Sequence, residues 1–309
     1  MTEKLIIKSD FKRFDAWTEA FTAFDVEIVD WETDHDPDEF AYALVWKPEP
    51  GALARYRNLK VIFSVGAGLD HLKPAGVLPD GVPVVRMVEP GLTAGMVEYV
   101  VYHVLRYHRF MPEYQAQQQA GIWEGIIQVP AAERTVGILG IGELGSACAN
   151  ALSAFDFQLC GWSRAPKSVP GVTCFHGRDQ LPEILARSEI LICLLPLTDE
   201  TRGILCRETF DLMPRGACII NAGRGGCQVD DDILAALNSG QLRGAALDVF
   251  EQEPLPRESG LWAHPGVTIT PHVASMTLPS SCAAAVYENI QRCRQGQPLL
   301  HLADMSRGY

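Results

Sequence analysis

The stretch Val136-Gly137-Ile138-Leu139-Gly140-Ile141-Gly142-Glu143-Leu144-Gly145 decides how this chain folds. An apolar, β-type run ends at Leu139, and Gly140, Gly142 and Gly145 then fall in a G-x-G-x-x-G pattern. A helix-like segment follows over 146–154, and a second strand is expected over 157–162. Gly140 permits a tight turn out of the strand, Gly142 lets the backbone approach a pyrophosphate, and Gly145 lets the helix pack close to the strand. The N-terminus of that helix offers unpaired N–H groups and a partial positive charge to phosphates. Three glycines so spaced are weak on their own, but a strand before and a helix and strand after make a βαβ unit that points to dinucleotide binding.

The residues after the second strand select the dinucleotide. An NAD site has Asp or Glu about 20 residues on, bonding the ribose 2′-hydroxyl. Here the segment is Trp162-Ser163-Arg164-Ala165-Pro166-Lys167, without a carboxylate. Ser163, Arg164 and Lys167 suit a 2′-phosphate, so NADPH is expected, with NADH weaker.

Outward from this unit, strands are expected at 5–7, 26–29, 41–46, 59–64 and 82–86, with helical spacing over 11–24. Further strands are expected at 190–195, 217–220, 244–247 and 267–269, with helices over 230–239 and 280–295. Strands alternating with helices imply parallel sheets covered on both faces. The fold class is therefore α/β, with two doubly wound parallel-sheet domains: a flavodoxin-like substrate domain and a Rossmann nucleotide domain. The expected boundaries are 1–95 plus 280–309 for the discontinuous substrate domain and 96–279 for the nucleotide domain. The segment 96–120 is expected as one long helix, more apolar than a linker needs.

Composition sets the outer limits. The chain has 309 residues, enough for two domains, and a formal net charge of −12, which disfavours nucleic acid and anionic membranes as partners. Nine Cys without a C-x-x-C pair and no cluster with metal-ligand spacing fit a reducing cytoplasm and no metal site. Met1-Thr2-Glu3-Lys4 leads directly into a strand, so no signal peptide is expected, and no apolar run is long enough to cross a membrane.

Chemical candidates cluster just past strand ends, where open α/β sheets bind ligands. They are Asn221-Ala222-Gly223-Arg224-Gly225-Gly226, Asp248-Val249-Phe250-Glu251-Gln252-Glu253-Pro254 and Thr270-Pro271-His272-Val273-Ala274. His272 can deliver a proton near neutral pH, Glu253 can orient its ring, and Arg224 offers a planar fork for a carboxylate or carbonyl oxygen. The other histidines (His35, His71, His103, His108, His176, His264, His301) have no such partners and are expected at the surface or in packing.

These motifs together resemble the D-2-hydroxyacid dehydrogenases over essentially the whole chain. The Val65-Gly66-Ala67-Gly68 loop, Trp162-Ser163-Arg164 and Arg307-Gly308-Tyr309 are most similar to the glyoxylate/hydroxypyruvate reductase A branch. The resemblance implies hydride transfer from NADPH to a small 2-keto acid such as glyoxylate or hydroxypyruvate, in a homodimer formed through 96–120. It implies that Arg224, Glu253 and His272 are catalytic. It also implies that Val65, Gly66, Ala67 and Gly68 hold the substrate carboxylate through their amides, with Trp46 beside them. Cofactor contacts are expected from Gly140, Gly142, Glu143, Leu144, Gly145, Ser163, Arg164, Lys167, Pro196, Ala222 and Asp248. Two rivals stand beside this reading: a reductase of a bulkier 2-keto acid such as phenylpyruvate, and a non-catalytic dinucleotide sensor of the same fold.

Overall fold

The structure, a computed structural model, describes residues 3–9, 14–66, 68–69, 72 and 77–303. Ala67 and the 307–309 tail lie outside the described residues. The chain divides into two compact units, Met1–Leu92 with Met276–Tyr309, and Thr93–Ser275.

The first unit holds β1 (Lys4–Lys8), α1 (Phe14–Phe21), β2 (Glu27–Asp30), β3 (Phe40–Val45), β4 (Val61–Ser64), β5 (Val84–Val85) and, from the far end of the chain, α8 (Pro279–Arg294). Its parallel sheet has the order β2-β1-β3-β4-β5, the flavodoxin-like arrangement. The side-chain alternation of a strand assigns each residue to one face. Leu5, Ile7, Tyr42, Leu44, Val61 and Phe63 face one core, which α8 completes with Cys282, Ala283, Val286 and Ile290. Ile6, Ala43, Val45 and Ile62 face the other. Burial on both faces explains why these strands are continuous apolar runs.

The second unit carries α2 (Pro90–His108), which begins at the unit boundary, then α3 (Met111–Ala120), β6 (Thr135–Leu139), α4 (Glu143–Ser153), β7 (Gln158–Ser163) and β8 (Val172–His176). It continues with α5 (Leu181–Arg187), β9 (Ile190–Cys193), α6 (Arg207–Asp211), β10 (Ala217–Asn221), α7 (Asp230–Ser239), β11 (Leu242–Leu247) and β12 (Val267–Ile269). The seven parallel strands run β12-β11-β10-β9-β6-β7-β8. That is the Rossmann order with one strand added. The α/β class with two parallel-sheet units is thus borne out.

Two expectations need correction. The 96–120 segment is not one helix. The first helix starts at Pro90, where the Glu89 carboxylate accepts the amides of Gly91 (2.6 Å) and Leu92 (2.7 Å), and it ends at His108. Pro112 has no N–H to give the His108 carbonyl, and its ring would collide with it. The chain therefore breaks at Phe110, in the left-handed region at φ +57°, before α3 begins. The second correction is β8, which was not foreseen. Thr173 and His176 are exposed on this edge strand, so it lacks the continuous apolar run of its neighbours.

No described helix is long and apolar enough to cross a membrane. The nine cysteines are all free thiols.

One polar cluster ties the two chain segments of the first unit together. Glu3 accepts hydrogen bonds from Tyr42 on β3 (2.8 Å), from Arg294 on α8 (2.9 Å) and from Lys60 before β4. Burial alone would raise the Glu3 pKa, but the bonds from Lys60, Arg294 and Tyr42 hold it down at about 2. A depressed carboxylate pKa stabilises the fold above its unfolded value of 4.5 and loses that contribution as pH falls towards 2. Glu3→Gln should therefore cost on the order of 1 kcal/mol at pH 7, since the cluster is partly solvated. The gap to wild type should close between pH 4.5 and 2. Urea unfolding of both proteins across that range checks this; a gap independent of pH would show that Glu3 acts by shape alone.

Candidate active site

The glycine-rich turn leaves β6 at the point where the sheet order reverses, with β7 on one side of β6 and β9 on the other. Its three glycines have separate tasks. Gly140 sits at φ +101°, and a Cβ there would lie 2.9 Å from the Leu194 carbonyl oxygen after β9. A Cβ on Gly145 would overlap the Gly140 carbonyl, so α4 rests directly on the turn. Gly142 is exposed, and a Cβ built on it would meet nothing within 4 Å. Gly142 is also the N-cap of α4, so an approachable backbone stands over a helix N-terminus, which fits a pyrophosphate. Glu143 is exposed in the first helical turn, and Leu144 packs against the core.

At the end of β7 the Ser163 hydroxyl donates to the Ala165 carbonyl (2.8 Å), which folds the loop back on itself. Arg164 is exposed. The Lys167 ammonium donates to the Ile141 carbonyl (3.0 Å), inside the glycine-rich turn. The structure thus brings Lys167 to the turn, and no carboxylate ends β7.

The next strand ends are packed backbone to backbone. A Cβ on Gly223 would lie 2.8 Å from the Leu195 carbonyl oxygen, so the loop after β10 lies flush on the loop after β9. Ala222, buried beside it, donates its amide to Cys193 (3.2 Å), and the Pro196 carbonyl accepts the Thr201 hydroxyl (2.6 Å). A Cβ on Gly225 would overlap the Phe250 carbonyl group after β11. Arg224 stands between these two contacts. Buried Asn221 shapes its loop: its amide nitrogen donates to the Gln228 side chain (2.7 Å) and the Arg224 carbonyl (3.2 Å), and its oxygen accepts the Gly223 amide (3.1 Å). One guanidinium nitrogen of Arg224 donates to the Gly223 carbonyl (2.7 Å), which orients the fork.

The last pair of strand ends places the proton-transfer candidates. His272 Nδ1 lies 3.0 Å from both Glu253 oxygens, and Glu253 Oε1 accepts the Phe250 amide (3.2 Å). The carboxylate therefore fixes Nδ1 as a donor and leaves Nε2 for proton exchange. Asp248, expected as a cofactor contact, is buried, and both its oxygens accept from the loop that carries His272.

In the first unit, Trp46 and Gly66 meet: a Cβ on Gly66 would lie 2.8 Å from the Trp46 ring. The Lys47 ammonium stands 5.4 Å from the same ring. The Val65 amide donates to Val45 at the end of β3 (3.0 Å) and the Gly66 amide to Ser64 Oγ (3.2 Å), so these two expected carboxylate donors already have partners. Ser64 Oγ approaches the Gly68 carbonyl at 3.5 Å.

Comparison with known proteins gives the family. Residues 101–274 match the family model "D-isomer specific 2-hydroxyacid dehydrogenase, NAD binding domain". The chain is 45% identical over 273 residues to a glyoxylate/hydroxypyruvate reductase A from Yersinia enterocolitica, covering 87% of each. Among solved structures it is similar to a D-isomer specific 2-hydroxyacid dehydrogenase from Xanthobacter autotrophicus Py2 in complex with NADPH and MES. There the TM-score is 0.95 and the identity 43%, over 100% of both chains. It is also similar to an NADPH-dependent glyoxylate/hydroxypyruvate reductase from Sinorhizobium meliloti in complex with NADP and sulfate. In that case the TM-score is 0.94 and the identity 39%, covering 99% of this chain and 100% of that one. The chain belongs to the D-isomer specific 2-hydroxyacid dehydrogenase family and is an oxidoreductase.

Sequence reasoning missed Ser64, Gln228 and the supporting role of Asn221, and it gave Gly225 no task of its own. Gly225 lets the Arg224 loop lie directly on the backbone whose amide holds Glu253. Gly225→Ala must push the two apart, and displacements near 1 Å at a reacting centre can cost about 10²-fold. A fall in kcat of at least about tenfold with a lowered Tm is expected. Gly142→Ala, which meets only open space, should keep its Tm and weaken cofactor binding. Wild-type Tm and kcat for Gly225→Ala would remove this role.

Proposed function

We propose that the protein is an NADPH-dependent reductase of small 2-keto acids, with glyoxylate and hydroxypyruvate as substrates. The observation that carries this is the pairing of His272 Nδ1 with both oxygens of Glu253 beside a loop that presents Arg224. NADPH bound on the glycine-rich turn supplies the hydride. His272 gives a proton from Nε2 to the oxygen of the reduced carbonyl, and Glu253 keeps the ring oriented and compensates its charge. Arg224 binds the substrate carboxylate or carbonyl oxygen through its fork, which an ammonium would not reproduce. Val65, Gly66, Ala67, Gly68 and Trp46 are the substrate contacts proposed for the first unit.

The proposed cofactor preference rests on the loop after β7. Arg164 would meet the 2′-phosphate, and Lys167, bonded to the glycine-rich turn, would add a weaker contribution. His272→Ala should lower kcat by about 10² or more with cofactor affinity retained. Arg164→Ala should remove most of the preference for NADPH, through KM for NADPH and with the NADH constants nearly unchanged. Steady-state kinetics on glyoxylate, hydroxypyruvate and phenylpyruvate with both cofactors decide this. Preference for NADH in wild type, or undiminished turnover in His272→Ala, would overturn it.

The working form is proposed to be a cytoplasmic homodimer. Support comes from an extended stretch after α3 with Ile122 51%, Trp123 102% and Ile127 91% exposed. That stretch is nevertheless fastened: the Ile126 amide donates to Tyr114 Oη (3.0 Å), and Arg109 donates to Gln128 (3.0 Å). Such a held apolar arm, with Tyr102 and Met111 also exposed, suits a second copy of the chain rather than water. Light scattering at micromolar concentration should give twice the chain mass, and Trp123→Glu should give the monomer; a monomeric wild type would refute this.

A further inference from the structure

His272 is held in a conformation that its own chemistry does not favour. Its φ is +56°, in the left-handed region that disfavours a residue with a Cβ. Such backbone persists only where the surroundings over-determine it. Here the surroundings are largely one residue, Asp248. Its main-chain oxygen accepts the His272 amide (2.8 Å). Its carboxylate accepts the amides of Val273 (2.9 Å, Oδ1) and Ala274 (2.9 Å, Oδ2) and the Thr270 hydroxyl (2.6 Å, Oδ1). Four of the five residues from Thr270 to Ala274 thus hang on Asp248.

The network does not stop there. Thr270 Oγ1 lies 2.8 Å from the Tyr99 hydroxyl on α2. A threonine hydroxyl has one proton, and a carboxylate oxygen can only accept. The Thr270 proton goes to Asp248, so the Tyr99 hydroxyl must be the donor to Thr270. Every proton in the chain Tyr99–Thr270–Asp248 therefore has a fixed direction. The Tyr99 ring is backed by His103, at 4.4 Å between centroids. Burial and the Arg106 charge push the His103 pKa down to about 4, so the backing ring is neutral at physiological pH. Burial, with Asp248 adding to it, raises the Tyr99 pKa and keeps the hydroxyl protonated, as the donor role requires.

We propose that Tyr99 and Thr270 are positioning residues for the reaction. They lock the Asp248 carboxylate in the one orientation that holds the strained His272 loop, and so aim the proton donor from α2. The inference rests on the assignment of His272 as proton donor. Thr270 opens the strand-end segment that carries His272, whereas Tyr99 does not follow from the strand-end pattern that marks Arg224, Glu253 and His272. Tyr99 lies on the helix before the glycine-rich turn, far from His272 in sequence.

The test compares Tyr99→Phe, Thr270→Val and Thr270→Ser, each made alone and in the His272→Ala background, as purified full-length enzyme with glyoxylate and NADPH. In the otherwise wild-type protein, Tyr99→Phe and Thr270→Val should lower kcat about tenfold, leave both KM values within about twofold, and displace the acid–base limb of the kcat–pH profile. Thr270→Ser keeps the hydroxyl and should retain most of the activity. In the His272→Ala background the same changes should cost nothing further, because the residue they position is gone. NADPH binding followed by fluorescence, together with Tm, identifies any variant that fails to fold; Thr270→Ser then carries the comparison. Wild-type kcat and pH profile in both Tyr99→Phe and Thr270→Val would overturn the proposal. So would an equal further loss in the His272→Ala background, a result that leaves His272 as the proton donor. Full turnover by His272→Ala alone would instead sink the donor assignment, and this proposal with it.

Discussion

The second unit depends on main chain touching main chain along the carboxyl edge of its sheet. Side chains normally keep neighbouring loops several ångströms apart. At Gly140, Gly223 and Gly225 that spacer is missing, and the loops after β6, β9, β10 and β11 lie directly on one another. The last link, from β11 to β12, is made by the Asp248 carboxylate and the Glu253–His272 pair. Helix N-terminus, guanidinium and imidazole therefore belong to one continuous wall. Its geometry is set by backbone contacts, which have few rotamers and little freedom to relax.

This construction explains which parts of the molecule were legible in the sequence. Strands buried on both faces are continuous apolar runs, so Leu5-Ile6-Ile7, Ile190-Leu191-Ile192-Cys193 and Ile219-Ile220 announced themselves. The edge strand Val172–His176 did not, because half of it faces water. The break at Phe110 was hidden because helix-forming residues lie on both sides of it, although Pro112 was in plain view. In the site, Arg224, Glu253 and His272 could be picked out because each follows a strand. The function of Gly225 could not, because it depends on Phe250, and no local pattern records which loops will lie against each other. The same applies to Ser64: that its hydroxyl would take the Gly66 amide is a matter of turn geometry, not of composition.

The loop after β7 shows how one cluster of residues can divide into different tasks. Ser163, Arg164 and Lys167 looked alike as phosphate ligands. Two of them have visible structural tasks as well: Ser163 closes its own loop and Lys167 holds the Ile141 carbonyl. The bond from Lys167 ties the loop after β7 to the glycine-rich turn, so a disturbance of that loop is transmitted to the turn.

The division of the first unit between the two ends of the chain has a consequence for synthesis. Its sheet is encoded entirely before residue 93, but the face that α1 covers only in part, with Trp17 and Phe21, is not closed until α8 supplies Cys282, Ala283, Val286 and Ile290, and Glu3 waits for Arg294. The whole second unit is made in the interval, which at ribosomal rates of about 5–20 residues per second lasts roughly ten to forty seconds. During that time the nascent sheet carries an incompletely covered apolar surface while its neighbour in sequence already has all it needs to fold. The first unit is therefore the part of the molecule with most to gain from a chaperone on the ribosome. A circular permutant that moves α8 ahead of β1 would remove the wait.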